Sequence, residues 1–213
     1  MQENKIQDAI IRAKKFNIAL RAIQFDYETK KLKWSKYLPQ IEEEFKVNLD
    51  ESEKQHMCKK RDDLKKDLEK QKLHDLVIQQ IPIIFQIEEK KGRDGREKKV
   101  PTKQGAETLN NSAELIGLLL KAYEISTSQI RRYLDSLRKI KVNTSTETFS
   151  ESEVLLQQVK IAYAAGRDSD LNFLYEVMKP AIKAGSEGYH CLEQLLKFVE
   201  AIVAYHRFYR GED

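Results

Sequence analysis

The chain has 213 residues, 40% of them hydrophobic, which is enough apolar surface for a substantial core and excludes a miniprotein or a disordered polymer. Four prolines and eight glycines are too few for an all-β protein with frequent turns, while 34% charged residues point to long solvated helix faces. The formal net charge of +4 conceals an asymmetry: residues 1–105 carry +6 and residues 106–213 carry −2, so the basic excess lies in the first half.

No apolar run reaches the roughly 18 residues needed to cross a bilayer, and the opening MQENKIQDAII lacks the basic-then-apolar plan of a signal peptide. A soluble, cytoplasmic protein is expected, and the two cysteines, Cys58 and Cys191, are expected to remain free thiols.

In chain order, Ile6, Ile10, Ala13, Asn17, Leu20 and Ile23 recur at helical spacing and predict an amphipathic helix over 4–27. The pattern breaks around Trp34-Ser35-Lys36-Tyr37, and Pro39 fits the first turn of a short helix reaching about Phe45. Asp50 with Glu53 reads as a capping box. It opens a charged stretch whose thin stripe of Leu64, Leu68, Leu73 and Leu76 predicts a projecting helical arm, ended or kinked at Pro82. Residues 90–105, with charge, two glycines and a proline but little to bury, predict a linker.

After the linker the sequence predicts helices over 107–124, 126–141 with a Ser126–Gln129 box, and 150–166 with a Ser150–Glu153 box and a Gly166 stop. A fourth begins near Asp168 and runs through Pro180 to Gly185, and the last, over 188–209, is apolar on nearly all faces, as a central helix should be. The expected architecture is all-α: a helical bundle at 106–213 with an N-terminal helical extension at 1–105.

Catalytic signatures are not legible. His56 and Cys58 diverge, His74 stands alone, and His190 and Cys191 are adjacent but point apart, so no metal site and no cofactor are expected. Asp168 and Asp170 sit at a helix start, where capping explains them. What remains is basic. In 126–141 the inward stripe Ile130, Tyr133, Leu134, Leu137 and Ile140 leaves Arg131 with Arg138 and Arg132 with Lys139 on the outer side. Each pair is separated by two helical turns, about 10.5 Å, a distance that suits successive phosphates or a plain solvated face. Lys141 adds to this surface, Lys160 lies on the polar face of 150–166, and Arg167 follows Gly166. His206 shares a stripe with Val199 and Ile202, which fits a boundary histidine.

The segments STSQIRRYLD at 126–135, IAYAAGRD at 161–168 and EAIVAYHRFYRGED at 200–213 resemble, in order, the three signature segments of the small helical subunit of the type III-A CRISPR interference complex. The resemblance covers about 106–213. It implies a non-catalytic subunit, present in several copies, that stacks along a guide-bound backbone and touches target RNA or the guide–target duplex through basic side chains. It further implies partnership with guide RNA, target RNA, the backbone subunits, the large polymerase–nuclease subunit and other copies of itself. Arg131, Arg132 and Arg167 are the contact candidates the resemblance implies; Lys139, Lys141 and Lys160 come from the helical-face reading; His206 and Arg207 fall within the third segment. The rival expectation is a helical protein-interaction adaptor without RNA binding. Residues 1–105 lie outside the resemblance, and the sequence does not choose between a neighbouring subunit and RNA as their contact.

Overall fold

The computed structural model describes residues 2–91 and 97–209. The helices are α1 (Gln2–Ala22), α2 (Leu38–Phe45), α3 (Glu51–Met57), α4 (Arg61–Lys70), α5 (Leu73–Ile78), α6 (Ile81–Ile84), α7 (Lys103–Ala122), α8 (Thr127–Val142), α9 (Glu151–Leu155), α10 (Gln157–Arg167), α11 (Asn172–Gly185) and α12 (Tyr189–Phe208). A single 3-10 turn at Ser169–Leu171 precedes α11. Two antiparallel hairpins interrupt this all-α plan: β1 (Ile23–Asp26) with β2 (Lys31–Trp34), and β3 (Ile87–Lys91) with β4 (Glu97–Pro101).

The center of the molecule is α7, because its residues 115–120 offer an almost unbroken apolar run to neighbours on both sides. On one side lies α1, whose Ile6, Ile10, Ala13 and Asn17 are buried as their spacing predicts. Asn17 Nδ2 donates to the carbonyls of Ala13 at 2.9 Å and Leu118 at 3.0 Å, so its amide donor is satisfied within the α1–α7 seam. At the rim Lys14 pairs with Glu114 at 3.0 Å. On the other side lies α12, which crosses α7 closely at Gly117; a Cβ there would meet the His206 backbone nitrogen at 2.8 Å. The helices α8 and α11 flank α12, and α10 packs on α11 and α8. Two of the three expected capping boxes form, at Asp50–Glu53 and at Ser126–Gln129.

Five expectations are corrected. The helix expected over 4–27 ends at Ala22, and Ile23–Asp26 leave it as strand β1, paired with β2. The stretch 50–80 is not a projecting arm: Lys72 takes a left-handed conformation (φ 44°) that breaks the helix, and Leu64, Leu68, Leu73 and Val77 are buried as α4 and α5 fold back onto α1 and α11. Pro82 opens α6 instead of ending a helix, its missing N–H being unneeded in a first turn. The linker expected at 90–105 holds strand residues of the β3–β4 hairpin on both sides of residues 92–96, which lie outside the described residues, and Thr102 then caps α7 through the Gly105 N–H at 2.9 Å. The helix expected over 150–166 is split at Leu156. Ser150 makes no cap, its hydroxyl lying 3.0 Å from that of Ser152, and the helix runs past Gly166 to Arg167.

The first and second halves share one hydrophobic cluster, running from Ile6 in α1 to Tyr209 after α12. Among the described residues Cys58 and Cys191 are free, and no helix is long and apolar enough to cross a membrane.

Candidate nucleic-acid interface

The capping box at Ser126 sets the start of α8 and hence the angular position of every residue after it. With Ile130, Tyr133, Leu134 and Leu137 turned to the core, Arg132 is left exposed beside the neighbouring α10. On α10, Ile161 and Ala165 are buried, which leaves Lys160, Tyr163 and Arg167 at i, i+3 and i+7 along the outer face. Between the two helices runs a groove of about 560 Å³ whose walls include Arg132, Lys160, Tyr163 and Arg167. Three of the basic residues singled out from sequence, contributed by two helices, therefore converge on one concave surface.

Tyr163 is 68% exposed, and the Arg167 guanidinium lies 5.8 Å from its ring centroid. An exposed ring beside three cations is a surface on which a base can stack while its phosphates meet positive charge. Sequence reasoning missed Tyr163, although its three- and four-residue offsets from Lys160 and Arg167 were there to be read. The floor of the groove is apolar, from Ile130, Ile161, Leu171 and Leu174. Tyr133 also lines it: its hydroxyl is buried with no hydrogen-bond partner among the described residues, and burial pushes the phenol pKa up, so the group stays neutral. The acidic member, Asp168, is already engaged, accepting from the Asp170 N–H at 3.1 Å and from Gln129 Nε2 at 3.4 Å.

The other candidates fall elsewhere. Arg131 is half-buried and Lys139 is exposed, and neither lines the groove. Arg138, the seven-residue partner of Arg131, is held by Glu200 at 2.9 Å. Lys141 is drawn inward: it pairs with Glu193 at 3.0 Å, donates to the Tyr189 hydroxyl and lies 3.7 Å from the Tyr189 ring centroid. Burial pulls its pKa down, but the bonds to Tyr189 and Glu193 outweigh that and raise it. Its charge is committed within the protein. His206 is buried, with Nδ1 3.1 Å from Thr127 Oγ1, so it joins α12 to the start of α8 and is not a surface contact in this fold. Its neighbour Arg207 is exposed.

His74 is not isolated, as its place in the sequence implied. Its Nε2 lies 2.6 Å from Glu176 Oε2 on α11 and 3.4 Å from Asp75 Oδ1, an arrangement of three donors whose residue types suit a divalent transition ion. The same contacts serve equally as a hydrogen-bonded join between α5 and α11.

No solved structure matches the chain. A curated relative, the "CRISPR system Cms protein Csm2" of Streptococcus thermophilus, is 30% identical over 95 residues, which are 43% of this chain and 78% of the relative. The family model described as Csm2 Type III-A matches residues 103–212, which begin at the first residue of α7 and take in both walls of the groove. With more than half of its length matched in this way, the chain belongs to the type III-A Csm2 family.

Proposed function

We propose that this chain is a non-catalytic RNA-binding small subunit of a type III-A CRISPR complex, and that the α8–α10 groove is its contact with RNA. Family membership supports the place in the complex. The RNA contact rests on one observation, the convergence of Arg132, Lys160 and Arg167 with exposed Tyr163 around a single groove. In this reading the cations meet phosphates of target RNA or of the guide–target duplex, and sequence is left to base pairing. Copies of the chain stack along the guide-bound backbone, in contact with the backbone and large polymerase–nuclease subunits. The non-catalytic assignment is supported by the engagement of Asp168 as a cap and the placement of Asp170 3.8 Å from Lys65.

The test is RNA affinity across a salt series. Each of Arg132→Ala, Lys160→Ala and Arg167→Ala should weaken binding to RNAs of unrelated sequence by a similar factor. Each should also lower the slope of log affinity against log salt by about 0.7, with melting temperatures nearly unchanged because the side chains are exposed. Unchanged affinity and slope in the triple variant, free and assembled, would leave the protein-interaction adaptor as the better reading.

A further inference from the structure

The basic excess of the first half is distributed unevenly once the chain folds. On the helices it is largely neutralised: Lys14 by Glu114, Lys15 by Glu53, Arg21 by Glu44, Lys54 by Glu51, Lys70 by Asp67, and Arg61 and Lys65 by Glu124. The β1–β2 hairpin and the turn after it differ. Lys33 is paired, to Asp26 at 2.7 Å, but Lys30, Lys31 and Lys36 are exposed and form no ion pair among the described residues.

The same stretch carries exposed rings. Tyr27 at the tip is 84% exposed, Tyr37 50% and Phe25 47%. Phe25 and Tyr27 meet edge to face, their centroids 5.1 Å apart, and the Lys36 ammonium lies 5.1 Å from the Tyr37 centroid. The tip is fixed before any ligand arrives. Asp26 accepts from the backbone N–H groups of Glu28 at 3.0 Å and Thr29 at 3.3 Å as well as from Lys33, and Lys30 reverses the chain at φ 52°. Rings displayed on a preformed turn lose little conformational freedom on binding.

Which partner does this surface fit? An apolar protein face would cover the rings and strand the lysines, while an acidic face would match the lysines and leave the rings in water. A single-stranded nucleic acid meets both needs, with bases for the rings and phosphates for the ammonium groups. We infer that residues 23–37 form a second RNA-contact surface, in which Tyr27 and Phe25 stack against bases while Lys30 and Lys36 meet phosphates; Lys31, opposite Asp26, lies on the other face of the hairpin from Phe25. The inference extends the RNA reading proposed above to a site that shares no residue with the groove and lies outside the matched residues 103–212.

The experiment uses the full chain, a fluorescein-labelled oligouridine and anisotropy over a salt series. Tyr27→Ala should weaken binding by about tenfold with the salt slope unchanged, and Tyr27→Phe should restore most of the affinity. The double variant Lys30→Ala/Lys36→Ala should instead lower the slope by about 1.4. Emission from Trp34, the only tryptophan and the cross-strand partner of Ile23, should be unaltered in the RNA-free variants, showing that the hairpin is intact.

Repeating the series in the Arg132→Ala/Lys160→Ala/Arg167→Ala background separates the two sites. If hairpin variants are silent in both backgrounds while groove variants act, the hairpin inference is overturned and the groove stands. If groove variants are silent while hairpin variants act, the hairpin stands and the groove assignment fails. Loss of binding to phosphatidylserine vesicles in the hairpin variants, with oligouridine binding unchanged, overturns the inference in favour of a lipid surface.

Discussion

Glycine 117 sits at the close crossing of α7 and α12, and replacing it with alanine tests the geometry of that crossing. In a helix interior the exchange of glycine for alanine normally stabilises, by roughly 0.5–1 kcal/mol, through lost chain entropy in the unfolded state. At Gly117 the new Cβ would lie 2.8 Å from the His206 backbone nitrogen and 2.9 Å from Tyr205 Cβ. The first of these is main chain, so no rotamer change relieves it. The helix α12 must draw away by something approaching 1 Å, a gap that forfeits a quarter to a half of each affected dispersion contact. Overpacking of this kind costs about 1–3 kcal/mol, and the same displacement loads the His206–Thr127 hydrogen bond. Set against the helical gain, the expected net loss is centred on about 1 kcal/mol and reaches at most about 2.5 kcal/mol, or roughly 2–10 °C in melting temperature for a chain of this size. Gly166→Ala is the matched control, because a Cβ there meets nothing within 4 Å and the substitution should be neutral or raise the melting temperature. Melts followed by circular dichroism, with urea midpoints alongside, provide the comparison. If Gly117→Ala matches Gly166→Ala or exceeds it in stability, the close α7–α12 crossing is wrong.

Two further outcomes are expected. On α12, Ile202 is buried whereas Ala204, despite its apolar neighbours in sequence, is exposed, so Ile202→Asp should abolish the cooperative melt while Ala204→Asp changes it by about half a kcal/mol or less; equal losses in the two would mean that α12 is rotated from the position described. Expressed alone, residues 103–213 should retain their helices, because α7, α8, α11 and α12 pack on one another, but they lose the cover that α1 gives to α7 and should therefore self-associate and melt below the full chain, to be checked by sedimentation and thermal scans; a monomer as stable as the full chain would show that residues 1–102 contribute nothing to the core.

The helices of the second half were legible because each carries a complete local signal. Ser126 and Gln129 close a capping box, the inward stripe of α8 is unbroken from Ile130 to Ile140, and α12 is apolar on the faces that α7, α8 and α11 cover. The two hairpins were not legible, for different reasons. Ile-Gln-Phe-Asp and Lys-Leu-Lys-Trp do alternate apolar and polar residues, but each strand is only four residues long and Ile23 also continues the helical spacing of α1. In the second hairpin the alternation is missing, because Glu88, Glu89, Lys90 and Lys91 paired with Val100, Lys99, Lys98 and Glu97 present mostly charge on both faces. In the same way, Leu64 and Leu68 gave a stripe too thin to say what it packs against, and only the left-handed Lys72 turns the following segment back toward the core.

For the site, the limit of sequence reading was the choice among cations that look alike on a helical wheel. Arg132, Lys139 and Lys141 are all on the outward part of α8, yet only Arg132 faces α10 across a groove, while Lys141 is claimed by Glu193 and Tyr189 on α12. That difference is set by side chains more than 45 positions away in the chain, which no local periodicity contains. Bulk charge misleads in the opposite direction: the half with a formal charge of +6 pairs most of its helical cations internally, whereas the half at −2 gathers three exposed cations around one tyrosine. An electrostatic footprint is therefore a matter of which charges the fold leaves uncommitted. By that measure the α8–α10 groove and the β1–β2 hairpin each keep positive charge beside an exposed ring, and both are testable by removing the ring and the charge separately.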